Sequence, residues 1–261
     1  MTERLVTPKG RGFLFLDSHP EGCARHVAAL RATIPAAGQA GAAGQAGEAG
    51  QAGGRRPVAL IIGSSSGYGL AATIAGIARH GITGAGVCFE RPPTHRRTGT
   101  AGWYRTIATA KIAAEAGSDL RFINADAFAD GTKEEVLDLI GERFGGVDQL
   151  IYSVAAPRRT DTRTGMTYHA VIKPLGTAHQ GKTLSFDGEV PQVREIRLEP
   201  ASAPEAAQTV QVMGGEDWSR WVDALQAREL IRPGFATVAL TYIGSDLTSA
   251  IYRDGTIGAA K

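Results

Sequence analysis

Residues 58–70 read Val-Ala-Leu-Ile-Ile-Gly-Ser-Ser-Ser-Gly-Tyr-Gly-Leu, an apolar run that breaks into glycines at Gly63, Gly67 and Gly69. A strand that ends in small residues and turns straight into a helix brings bare backbone N–H groups to a helix N-terminus, where a pyrophosphate can approach unhindered. Tight packing between a strand and its following helix also selects glycine. The strand-turn-helix context is what raises the spacing G-x-x-x-G-x-G to a candidate dinucleotide site.

The pattern around this turn fixes the fold class. Apolar strands are expected at 58–62, 85–89, 120–123, 149–153 and 236–242, and helices at 70–79, 104–116, 133–144 and 218–228. Alternation of this kind predicts an α/β protein with a Rossmann-like, doubly wound parallel sheet. Between 157 and 200 the rhythm is lost, with short alternating runs at 166–172 and 193–198; this predicts an excursion from the sheet on the ligand-binding side. Ahead of the turn, residues 1–35 suggest a strand over 12–16 and a helix on which Cys23, Val27 and Leu30 share a face. His19 and His26 have no partner at metal spacing, so they read as a loop residue and a solvated helix position, and no metal site is expected. Residues 36–56 are dominated by Ala, Gly and Gln, too poor in bulky side chains to offset their ordering entropy, which predicts a flexible insert. Residues 57–261 are then expected to form one domain, nucleotide-binding and catalytic if the turn holds a dinucleotide.

Composition excludes several function classes. Lys plus Arg number 28 against 26 Asp plus Glu, and the basic residues fall in short pairs, so neither nucleic acid nor an anionic membrane is an expected partner. With only Cys23 and Cys88, no secretory h-region and no apolar stretch of membrane length, a reduced, cytoplasmic protein is expected.

The ends of the expected strands carry the candidate chemistry. Phe89 and Glu90 close the second strand after the glycine turn, where a carboxylate accepts both ribose hydroxyls of adenosine and repels a 2′-phosphate. That position favours NAD(H), while Arg91, Arg96 and Arg97 offer the opposite reading, a phosphate site. Asp126 and Ala127 follow the third strand, at the adenine side, and Val154 and Ala155 follow the fourth, at the ribose and nicotinamide side. Tyr242 closes the fifth strand, with Tyr252 and Lys261 beyond it. A tyrosine next to an ammonium is a ready proton donor to a developing enolate or alkoxide. Nine residues are about two and a half helical turns, so the two face opposite ways on one regular helix. The Asp254-Gly255 turn lets Tyr252 precede the helix and Lys261 point back from within it. A packed aromatic and a solvated lysine remain the plain alternative.

Taken together, Gly63-Ser64-Ser65-Ser66-Gly67-Tyr68-Gly69, Phe89-Glu90-Arg-Pro, Gly99-Thr-Ala-Gly-Trp103-Tyr104, Asp126-Ala-Phe, Ser153-Val-Ala-Ala-Pro-Arg-Arg159, Met213-Gly-Gly-Glu-Asp-Trp218 and Tyr252-x8-Lys261 resemble the trans-2-enoyl-CoA reductase family. That family includes the FabV-type enoyl-[acyl-carrier-protein] reductases, and its fold is of the short-chain reductase type. The resemblance implies NADH-dependent reduction of the C2=C3 double bond of an enoyl-CoA or enoyl-acyl-carrier-protein thioester in fatty-acid biosynthesis; a monomer is expected. It implies that Gly63, Ser64, Ser65, Ser66, Gly67 and Tyr68 hold the pyrophosphate, Phe89 and Glu90 the adenosine, Asp126 and Ala127 the adenine side, and Val154 and Ala155 the nicotinamide side. By the same resemblance Lys261 is the cofactor lysine, Tyr242 contacts substrate and Tyr252 is the proton donor. The family continues past this lysine, so the resemblance also implies a chain truncated at its C-terminus. A short-chain carbonyl reductase and an inactive NAD-binding fragment are the competing expectations.

Overall fold

The structure, a computed structural model, describes residues 10–11, 14–15, 17–35, 54–186 and 190–261, and these fall into two compact units. The first comprises Met1–Ser153 and Ala224–Val238, the second Val154–Asp223 and Ala239–Lys261. Most of the expected strand at 12–16 and of the expected insert, residues 36–53, lies outside the described residues. Two-residue strands β1 (Gly10–Arg11) and β2 (Leu14–Phe15), the latter within the expected strand, pair antiparallel.

The first unit is built on β3 (Val58–Ile62), whose five residues are all buried, as a central strand covered on both faces requires. It pairs in parallel with β4 (Thr83–Cys88) on one side and β6 (Val147–Tyr152) on the other. With β5 (Leu120–Asn124) and β11 (Ile231–Ala239) the sheet order is β11-β6-β3-β4-β5. The chain therefore leaves β3 first toward β5 and then returns to β6, and the reversal opens a crevice at the C-terminal ends of β3 and β6. Asp148 ties the other end of the sheet. It accepts from Val58 N at 2.7 Å, from both Arg55 Nη atoms at 2.7 and 2.8 Å, and from Arg232 at 3.2 Å. These hydrogen bonds, the Arg55 pair foremost, hold its carboxyl at about 2, well below the usual carboxylate range.

Helix α1 (Pro20–Ala32) is capped at its start by the loop residue His19, whose Nδ1 accepts from Gly22 N at 3.0 Å. Its buried Val27 joins Leu70 and Ile74 of α2 (Gly67–Ala75) in one apolar cluster, with Ala108 and Ile112 of α3 (Ala101–Glu115) against it. After one π-helical turn α2 ends at Gly81. Helix α4 (Asp130–Phe144) completes the expected alternation.

The second unit contains the excursion. Strands β7 (Arg158–Thr160) and β8 (Thr167–His169) form one hairpin and β9 (His179–Ser185) and β10 (Gln192–Leu198) another, neither joined to the five-stranded sheet. Helix α5 (Ala203–Met213) follows with a complete capping box between Ser202 and Glu205, and α6 (Gly215–Ala227) follows Gly214 directly. Met213, Ile257 and Ala260 form a small core against which Tyr252 packs. Arg159, with a side chain 1% exposed, is paired with Glu216 at 2.5 Å.

Two sequence expectations need correction. The last strand runs over Ile231–Ala239 rather than 236–242, because Pro233 and Gly234 disguise its first half; proline is tolerated there since β11 is an edge strand. Tyr242 accordingly lies in the loop beyond it. Helix α7 spans only Thr256–Ala259, so Lys261 follows the helix instead of pointing back from within it, although Tyr252 does precede it.

Candidate active site

The glycine turn is shaped for close backbone approach. Gly63 ends β3 with φ +89°, and its N–H and that of Ser64 both donate to Val87 O, at 2.8 and 3.0 Å. These two amides and the buried Ser64 hydroxyl, which also bonds Val87 O at 3.2 Å, therefore serve the sheet. The first-turn amides of α2, from Gly67 onward, are the donors that helix geometry leaves without an intrahelical partner. Gly69 permits the approach: a Cβ there would lie 2.1 Å from Gly63 O and 3.1 Å from Ser153 Cβ. Tyr68 is half exposed at this edge. Arg105, which sequence reasoning missed, reaches from α3 to place Nη1 3.4 Å from Ser66 Oγ. Its one signal was a basic residue one turn into the helix that follows the Gly-Thr-Ala-Gly motif.

Glu90 is brought to the same turn by the end of β4. Its carboxylate accepts from Ser65 Oγ at 2.6 Å and from Thr100 Oγ1. Asn124, at the end of β5, accepts from Glu90 N at 2.7 Å and donates to Glu90 O at 2.8 Å. Phe89 beside it is 75% exposed, an apolar ring offered to solvent at the strand ends. Asp126 accepts from Phe128 N at 3.0 Å in a local turn, and Ala127 O accepts from Lys133 Nζ at 2.7 Å. This cluster fits a dinucleotide: a backbone cradle that a Cβ would fill, helix N-terminal donors beside an arginine, and a fixed carboxylate. Among the described residues no group of His, Cys, Asp or Glu is arranged to hold a metal ion.

Within the second unit, the rings of Tyr242 and Tyr252 meet edge to face with centroids 4.7 Å apart. Gly244, with φ +73°, backs Tyr252 closely, since a Cβ there would lie 3.0 Å from its ring. Lys261 Nζ donates to Val154 O at 3.0 Å and to Leu240 O at 2.6 Å. Burial lowers its pKa to about 8. The structure thus joins Tyr242 with Tyr252 and Lys261 with Val154. Ala155 is exposed next to that carbonyl.

The five-stranded sheet, with its order β11-β6-β3-β4-β5 and a glycine turn after the central strand, defines a Rossmann-like α/β fold. Residues 5–95 match the family model for the NAD(P)H binding domain of trans-2-enoyl-CoA reductase, and residues 97–261 match that for the trans-2-enoyl-CoA reductase catalytic region. The chain belongs to the trans-2-enoyl-CoA reductase family. It is 62% identical over 257 residues to the enoyl-[acyl-carrier-protein] reductase [NADH] of Streptomyces avermitilis, covering 98% of this chain and 62% of that protein. The trans-2-enoyl-CoA reductase of Clostridium acetobutylicum in complex with NADH superposes with a TM-score of 0.82 at 35% identity, over 98% of this chain and 61% of that one. That of Treponema denticola in complex with NAD gives 0.79 at 36% identity, over 98% and 62%. The chain thus spans about three fifths of the length of these relatives. No helix among the described residues is long and apolar enough to cross a membrane.

Proposed function

We propose that this chain carries the NADH-binding and proton-donating residues of an enoyl thioester reductase, acting on trans-2-enoyl-CoA or enoyl-acyl-carrier protein in fatty-acid biosynthesis. The observation that carries the proposal is the ordered match of residues 5–95 and 97–261 to the cofactor and catalytic regions of trans-2-enoyl-CoA reductase. In this reading the protein is cytoplasmic and monomeric.

The α2 N-terminus, with Ser65, Ser66, Gly67 and Tyr68, receives the pyrophosphate, and the Arg105 guanidinium adds a compensating charge. Gly63 and Ser64 shape that turn. Glu90 accepts the ribose hydroxyls and excludes a 2′-phosphate, with Phe89 against the adenosine, Asp126 and Ala127 toward the adenine, and Val154 and Ala155 toward the nicotinamide. NADH, when bound, supplies a hydride to C3 of the enoyl thioester. Negative charge then gathers on the thioester oxygen as an enolate. Tyr252 Oη holds the proton that this oxygen needs, and Tyr242, edge-on to it, fixes the ring and meets the acyl chain. The Lys261 ammonium is oriented by two carbonyls, so its charge has a defined place from which to favour phenolate as the proton leaves. Tautomerisation of the resulting enol, in which C2 gains a proton as the oxygen returns one to the Tyr252 phenolate, completes the net addition of one hydride and one proton across the double bond.

The test is turnover of crotonyl-CoA with NADH, followed by loss of NADH absorbance, against a panel of ketones. Enoyl reduction is expected. Ketone reduction without enoyl turnover would overturn the proposal in favour of a carbonyl reductase, and tight NADH binding with neither turnover would mark a non-catalytic dinucleotide-binding protein.

A further inference from the structure

The carboxylate of Glu90 is held from several directions. Oε1 accepts from Ser65 Oγ at 2.6 Å, Oε2 accepts from Thr100 Oγ1, and the backbone is pinned in both directions by Asn124. The single hydroxyl hydrogen of Thr100 goes to Glu90, while its oxygen accepts from Arg91 N at 3.2 Å. Thr100 is the N-cap residue of α3 yet makes no side-chain cap bond to that helix, so this hydroxyl serves Glu90 and Arg91 instead. Gly102 backs a further side: a Cβ there would lie 1.8 Å from Oε1 and 2.2 Å from Cδ of Glu90. The carboxylate therefore fills the volume that any other residue at 102 would need.

We infer that Thr100 and Gly102 are positioning residues for cofactor choice: by fixing the Glu90 carboxylate they set the preference for NADH over NADPH. This rests on the NADH reading above. A glutamate discriminates against a 2′-phosphate only while its charge stays in place, because its side-chain torsions otherwise let it swing into solvent. Arg91, Arg96 and Arg97 are all exposed nearby, and a phosphate would gain them as partners once the carboxylate withdrew. Withdrawal here breaks two hydroxyl bonds and removes a negative charge from the N-terminus of α3, where the helix dipole favours it. Each carboxylate oxygen accepts one protein hydroxyl and retains a second lone pair, so the clamp leaves capacity for both ribose hydroxyls.

Dissociation constants for NADH and NADPH, measured by cofactor fluorescence on the parent, Thr100→Val, Thr100→Ser and Gly102→Ala proteins, test the inference alongside melting temperatures. Thr100→Val should lower the ratio Kd(NADPH)/Kd(NADH) by about tenfold, mainly by tightening NADPH, and Thr100→Ser should restore it. Gly102→Ala should lower the ratio in the same direction by displacing the carboxylate. An unchanged ratio in Thr100→Val, or equal weakening of both cofactors, would overturn the positioning role; being nearly isosteric, this variant decides the matter even if Gly102→Ala fails to fold. A parent protein without preference for NADH would overturn the NADH reading and this inference with it, whereas a parental preference that survives every variant overturns only the inference.

Discussion

Alanine at Gly69 should push the start of α2 away from the end of β3. The added Cβ would lie 2.1 Å from Gly63 O and 3.1 Å from Ser153 Cβ, and the first distance is about 1 Å or more inside ordinary contact. Gly63 ends a strand whose five residues are all buried, so the strand cannot yield and the helix must move. Overpacking of this kind costs about 1–3 kcal/mol, and at about 2–4 °C per kcal/mol for a chain of this size the melting temperature should fall by roughly 2–12 °C. The displaced amides are those proposed to receive the pyrophosphate, so NADH affinity should fall on the order of tenfold, as misplacement by about 1 Å readily produces. Gly67→Ala is the control. Its Cβ would meet open space and only its φ of +54° is unfavourable, at a cost of about 1–2 kcal/mol. Thermal melting combined with NADH titration separates the two. If Gly69→Ala proves no more perturbed than Gly67→Ala and binds NADH like the parent, the close-approach argument is wrong.

Two further predictions concern charge. Asp148→Asn should destabilise the protein by about 1–2 kcal/mol at neutral pH, a value discounted for the exposure of its partner Arg55. Because folding lowers this carboxyl from 3.8 to about 2, its contribution is present above the higher value and lost as pH falls through the lower, so urea unfolding should show the gap between parent and variant closing across that window; a gap constant down to the lower value would contradict the assignment. Lys261 is depressed from 10.5 to about 8, so the unfolded chain holds more protons between those values and this group makes stability rise with pH there. An NMR titration of the Lys261 side chain should show a midpoint near the lower value, and a midpoint at the ordinary lysine value would show that its surroundings are not dry.

The sheet was legible because its strongest signals are local. The run 58–62 is apolar throughout and ends in glycine, and no helix or surface strand explains that combination. The last strand was misplaced because Pro233 and Gly234 normally argue against a strand, and only its position at the sheet edge, a tertiary fact, admits them. Helix α5 lies outside the expected helices although Ser202-Ala-Pro-Glu205 spells its capping box, because the irregular stretch ahead of it carries no helical periodicity. Candidate residues were found wherever a strand end or an unusual spacing marked them, as at Glu90 and Tyr252. What holds them was not. Thr100 and Gly102 at the start of α3 and Asn124 at the end of β5 converge on Glu90, and the carbonyls that receive Lys261 come from Val154 and Leu240, far apart in the chain. Thr100 and Gly102 stand in a recognisable Gly-Thr-Ala-Gly motif, but the contact of any of these partners with Glu90 or Lys261 arises only in the fold.

The central claim is that Tyr252 delivers the proton, and it is tested most directly by the kinetics of Tyr252→Phe beside Tyr242→Phe, in a chain carried to the full length of its relatives. Phenylalanine removes Oη at residue 252 and keeps the ring that meets Tyr242 at 4.7 Å. The account predicts that Tyr252→Phe lowers kcat for crotonyl-CoA reduction by about 10²-fold or more while NADH affinity holds, and that Tyr242→Phe lowers it less. Near-parental kcat in Tyr252→Phe, with turnover abolished in Tyr242→Phe, would contradict the account and exchange the roles of the two tyrosines.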